Sequence, residues 1–158
     1  MGFALSDMRL TSPAFAPGGA IPKRYTGEGE DIPPPLQMAA VPAAARSLAI
    51  FCHDPDAPLV VPHRYGFVHW LVYNLPPDLR QLDQASTAGT AGSTDFGRSG
   101  YGGPMPPQGH GEHRYYFWLL ALDCAPDLPP DMDLCSFLTR VEPRVIAMNR
   151  LTGTYQRD

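Results

Sequence analysis

The chain has 158 residues, 44% of them hydrophobic, and a formal net charge of -4. That is enough for a domain with a real core and too acidic for a general nucleic-acid binder. Nineteen prolines and fifteen glycines cut the chain into short elements with plentiful loops, which favours an all-β domain over a helical bundle. Cys52, Cys124 and Cys135 form no CxxC pair, so they read as free thiols of a reducing, cytoplasmic setting rather than a disulfide framework or zinc site. The opening MGFALSDMRL contains no long apolar run, and neither a signal peptide nor an integral membrane segment is expected.

In chain order, Met8 to Thr11 suits a short edge strand, followed by turns at Pro13 and Pro17-Gly18-Gly19. Pro33-Pro34-Pro35 is a stiff extended segment handing over to Leu36 to Ala40. Ser47 to Cys52 and Phe67 to Leu75 are unbroken apolar runs bounded by turn signals, and Tyr115 to Asp123 is a third. Their length and continuity predict central strands buried on both faces. Ser86 to Gly103, rich in Gly, Ser and Thr, reads as loop. Asp133 is placed to N-cap a helix over Leu134, Phe137, Leu138 and Val141, with Pro143 stopping it. Val145 to Tyr155 is a last strand. Neither repeat nor linker interrupts the chain, so residues 1–158 are expected to form one mainly β domain with a short late helix.

Three stretches carry chemistry. Asp54-Pro55-Asp56-Ala57-Pro58 follows the first buried run; its prolines withhold N–H donors and fix the turn. His69-Trp70 sets an imidazole inside an apolar strand, where it needs a partner. YGGPMPPQGHGEHRYY, from Tyr101 to Tyr116, is a glycine- and proline-stiffened loop that delivers His113, Arg114 and Tyr115 to a strand mouth. Polar side chains under a rigid loop are how small-molecule sites are often built. An Asx turn, a satisfied core histidine and a strand-capping histidine account for the same residues one by one. The three strand ends together, offering Asp54, His69 and His113, make a more specific pattern than any of them alone. A metal site from His69, His110 and His113 lacks an HExxH frame. A hydrolase using Ser99 or Cys52 lacks a GxSxG elbow, and the run Gly89 to Gly103 lacks the Lys-Ser/Thr of a P-loop.

DPDAP, HW and GGPMPPQGHGEHRYYFWLLALD, with LTSPAF, IPKRYTGEGEDIPPPL, TDFGRSGYGGP and LTGTYQR around them, closely resemble the phosphatidylethanolamine-binding protein family. The nearest likeness is to its bacterial Raf-kinase-inhibitor-like branch, from about Arg9 to Gln156. The resemblance implies an antiparallel Greek-key β-sandwich with a small anion-binding pocket, formed by Asp54, Ala57, His69, Pro107, His113 and Tyr115 with Gly103 and Met105 on the loop. Tyr65 is a looser match to an entrance tyrosine. Bacterial relatives often carry cysteine where Gly27 and Met105 stand. The resemblance further implies a non-catalytic protein, without cofactor or metal, that binds a small phosphorylated or anionic ligand of the phosphoethanolamine type. Inhibition of a kinase or protease partner, and pairing as a homodimer, are the other roles it admits. Independently of the family, Asp54 beside an imidazole would fix its tautomer. Arg114, alternating with His113 and Tyr115, is expected on the other face as an ion-pair partner.

Overall fold

The computed structural model describes residues 5–58 and 65–158. His63, in the loop expected to lie apart from the site, falls outside the described residues. Eight strands, β1 (Arg9–Thr11), β2 (Leu36–Ala39), β3 (Ser47–Asp54), β4 (Phe67–Leu75), β5 (Gln81–Leu82), β6 (Thr90–Ala91), β7 (His113–Leu122) and β8 (Val145–Tyr155), and one helix, α1 (Leu134–Val141), make up the fold. They form a three-stranded sheet, β1-β2-β5, and a five-stranded sheet, β6-β4-β3-β7-β8. All pairings between these strands are antiparallel. The three unbroken apolar runs, β4, β3 and β7, are the middle of the larger sheet, as their composition predicts.

Their continuity has a direct cause. Leu48, Ile50 and Cys52 of β3, with Phe117, Leu119 and Ala121 of β7, pack toward Leu10, Leu36 and Met38 of the small sheet. The alternate residues Ala49, Phe51, Leu120 and Leu122 pack on the opposite face with Phe137 and Val141 of α1. A strand covered on both faces has no position left for a polar alternation. Asp133 caps α1 by accepting from the Ser136 amide at 2.8 Å. Pro143 does not end the chain's helical path abruptly; it sits in a 3-10 turn, Glu142–Arg144, that leads straight into β8. The two-residue β6 lies in the stretch read as loop, Ser86 to Gly103, and the two-residue β5 in one to which no element was assigned.

One irregularity positions the site. Across β3 and β4, Cys52 pairs with Trp70 while His53 pairs with Val68, so two residues of β4 oppose one step of β3 and His69 is the extra one. A bulge of this kind re-aims a side chain. By strict alternation His69 would follow Leu71 and Tyr73 to the helix-covered face; the bulge turns it instead toward Tyr115, ring centroids 5.2 Å apart.

Candidate functional site

At one end of the large sheet, β3 finishes at Asp54, β4 starts at Phe67 and β7 starts at His113. The Asp54–Phe67 pairing sets those two side chains on one face, and the β3–β7 register brings Tyr115 and His113 alongside. A cavity of about 240 Å³ opens there, lined by Asp54, Ala57, Phe67, His69, Phe96, Met105, Pro107, His113 and Tyr115 among others. Asp54, His69, His113 and Tyr115 are each at most 4% exposed. Burial at that level demands partners for every polar atom.

Most have one. Asp54 Oδ2 accepts from His113 Nδ1 at 2.7 Å, and Asp54 Oδ1 accepts from the Asp56 amide at 2.8 Å. His69 Nδ1 lies 2.8 Å from the Gly102 carbonyl, which can only accept, so Nδ1 carries the proton and Nε2 is the nitrogen His69 offers to the cavity. Burial pushes the His69 pKa down, against the opposing pull of that carbonyl and of Asp54. The exception is the Tyr115 hydroxyl, fully buried and without a hydrogen bond of full geometry, the acceptor beside it being the Asp54 carboxylate. Burial, then the charge of Asp54, drives its pKa up, so it stays a neutral O–H donor.

The wall and roof are tied from outside. Phe67, His69 and Phe96 meet edge to face, and Arg98 lies over the Phe96 ring at 5.3 Å. Gly102 has to lack a Cβ, because one would fall 2.2 Å from the Phe96 ring. The Gly103 amide donates to Asp31 Oδ1 at 2.6 Å, and a Cβ there would strike the Tyr25 carbonyl at 2.4 Å. The loop is clamped by Gly27 N to Pro104 O at 2.9 Å, Gly109 N to Arg157 O at 3.1 Å, and an Arg157 guanidinium N–H to Pro106 O at 3.3 Å. Arg114 points away from the cavity, as alternation predicts, and forks onto Asp56 at 2.8 and 3.0 Å. That fork holds the Asp56 carboxyl at about 2, which fixes the turn bearing Ala57.

Of the residues expected at the site, Asp54, Ala57, His69, Met105, Pro107, His113 and Tyr115 share the one cavity. Gly103 does not line it; its amide is taken by Asp31, so it anchors the loop. Tyr65, 84% exposed, lines a separate groove of about 340 Å³ with His53, Val68 and residues of α1. Phe67 and Phe96 were not read from sequence as part of the site, although their aromatic character beside His69 and Gly102 was visible. His110 is the larger surprise. Exposed on the loop, it sets its Nδ1 2.7 Å from His113 Nε2. Among the described residues no group of three or more His, Cys, Asp or Glu is arranged to hold a metal ion.

A family model for phosphatidylethanolamine-binding proteins matches residues 11–156. The chain belongs to the phosphatidylethanolamine-binding protein family. It is 42% identical to the UPF0098 protein of Methanothermobacter thermautotrophicus over 95% of this chain and 99% of that one. It is 37% identical to the UPF0098 protein of Aquifex aeolicus over 96% and 90%. Among solved structures it resembles the phosphatidylethanolamine-binding protein homolog CT736 of Chlamydia trachomatis, with a TM-score of 0.90, 38% identity and 96% and 98% coverage. YbcL of Escherichia coli follows at 0.86, 26%, and 97% and 100%. Gly27 and Met105 are neighbours: a Cβ built on Gly27 lies 3.2 Å from Met105 Cβ.

Proposed function

We propose that this family member binds a small anionic group, a phosphate or phosphoethanolamine-type head group, in the cavity between β3, β4 and β7, and catalyses no reaction on it. The observation that carries the reading is the convergence of four buried polar side chains, Asp54, His69, His113 and Tyr115, on one cavity of about 240 Å³. Polar groups held in place around a preformed space are positioned to meet a polar ligand. The Asp54–His113 pair supplies a fixed imidazole at the mouth, and the stiff loop shapes the space in advance. The cavity has room for one head group rather than a whole lipid.

Calorimetry with inorganic phosphate and phosphoethanolamine tests this. Affinity should lie between millimolar and micromolar, about −4 to −8 kcal/mol. His113→Ala, which strips the buried Asp54 carboxylate of its partner at 2.7 Å and leaves it to repel an anion, should weaken binding by about 1.5–3 kcal/mol, while His63→Ala should leave it alone. Equal affinity in wild type and His113→Ala would reject the assignment. A stoichiometric protein partner retained by His113→Ala would instead favour inhibition of a kinase or protease as the main role.

A further inference from the structure

We infer, taking the anion reading as the starting point, that the site takes up a proton from solvent when its anion binds, and that the His113–His110 pair of imidazoles holds it, with His110 as the solvent end. Two hydrogen bonds of 2.7 Å form the path, Asp54 Oδ2 to His113 Nδ1 and His113 Nε2 to His110 Nδ1. It runs from a carboxylate 2% exposed to a ring exposed on the loop. The turn holds that ring in place: the His110 amide donates to Pro107 O at 3.1 Å, and Gly109 before it has φ +72°. Asp54 accepts through both oxygens, so His113 Nδ1 carries a hydrogen and His113 Nε2 is left to meet His110. Between those two nitrogens there is room for one hydrogen and not two. The pair is therefore neutral, with His110 donating, or carries one extra proton; a second would break the bond.

Charge balance is the reason for the proton. Neither Lys nor Arg is among the residues lining the cavity. The guanidiniums around it lie against carboxylates of their own, Arg114 on Asp56, Arg98 near Asp31 and Arg157 on Glu28. With both imidazoles neutral, Asp54 faces an entering anion with a like charge, and burial screens that repulsion little. A proton added at His110 Nε2 lets the Nδ1 hydrogen pass to His113 Nε2. His113 becomes an imidazolium beside Asp54, and the chain of three goes from one negative charge to none. His69 is the competing acceptor, because its Nε2 faces the cavity. Burial holds its pKa down, however, and Gly102 takes its other nitrogen. The remaining titratable neighbours are Tyr115, Glu112 in the loop, and Tyr155, paired with His113 across β7 and β8.

Sulfate is the first probe, because it has no proton to exchange near neutrality. Calorimetry of the wild type at about pH 8, above the range in which free histidine titrates, in buffers of different ionisation enthalpy reads the protons taken up. Between about half a proton and one proton per sulfate is expected. Imidazole nitrogen NMR should show the His110–His113 pair gaining the proton and His69 unchanged. Repeating the NMR with inorganic phosphate locates the proton whichever ion binds. His110→Phe keeps a ring beside His113 with neither donor nor acceptor; its uptake should fall by at least about half, and sulfate should bind about tenfold more weakly. Binding without proton uptake, a proton found on His69, or uptake unchanged in His110→Phe overturns the role of the pair and leaves the anion site standing. Failure of both ions to bind removes the anion site and the proton uptake with it.

Discussion

Tyr115→Phe separates a ligand-binding hydroxyl from a structural one, because the two roles predict opposite signs. Tyr115 is fully buried in β7, and its ring packs against His69 at 5.2 Å; Phe keeps all of that packing. A buried hydroxyl that is hydrogen-bonded contributes about 0.5–1.5 kcal/mol, and its loss destabilises; one left unsatisfied costs about 1–3 kcal/mol, and its removal is neutral or stabilising. The Tyr115 oxygen makes no hydrogen bond of full geometry, Asp54 being the acceptor beside it, so the ligand-free variant should match the wild type or exceed it by about 1 kcal/mol. For a chain of this size that is a rise in Tm of about 2–4 °C. Phosphate should bind the variant about 10–100-fold more weakly, since a hydrogen bond to a charged group is lost. Urea unfolding with and without phosphate reads both, because a ligand that binds only the folded state raises its stability in proportion to occupancy. A variant at least about 1 kcal/mol less stable without phosphate, yet equally stabilised by it, would refute the reasoning.

Gly27→Cys with Met105→Cys should form a disulfide under oxidising conditions, since the 3.2 Å Cβ separation needs to open by only a few tenths of an ångström to reach about 3.5–4.5 Å. Closing a loop of about 80 residues should add on the order of 2–4 kcal/mol. Two additional titratable thiols in the oxidised double variant would contradict the geometry. His69 has its pKa lowered by burial, so the unfolded chain takes up that proton first. Stability due to a neutral His69 is therefore complete above about pH 6.5 and is lost as pH falls through the lower folded value. Denaturation of wild type and His69→Asn across that window should show a flatter profile in the variant, and parallel profiles would count against it. In Arg114→Ala the Asp56 carboxyl, held at about 2 chiefly by the Arg114 fork, should return toward its ordinary 3.8 in an NMR titration; a value that stays near 2 would mean another group holds it.

The parts of the fold that could be read ahead of the structure were those whose signal is local. β3, β4 and β7 were legible because both faces of each are buried, which writes an unbroken apolar run into the sequence. The Asp133 cap and the outward Arg114 follow from residue type and alternation. What was not legible depends on pairing across the fold. The bulge at His69 exists only in the register between β3 and β4, and nothing in FVHWLVYNL marks the residue that is extra. The two-residue β5 and β6 are defined by their partners β2 and β4 rather than by their own composition. Gly103 was read as a site residue from its place in the loop, but Asp31, 72 positions earlier, claims its amide. His110 was weighed only as a metal ligand, and its contact with His113 follows from the turn that brings its amide to the Pro107 carbonyl at 3.1 Å.

The central claim is that one phosphate-sized group sits among Asp54, His69, His113 and Tyr115. A crystal structure of the protein grown with phosphate tests it most directly. Tetrahedral density is expected inside the cavity, with an oxygen about 2.7 Å from the Tyr115 hydroxyl, the ordinary O–H···O distance. Phosphate bound elsewhere on the surface, with this cavity empty of it and the Tyr115 hydroxyl bonded to protein, would contradict it.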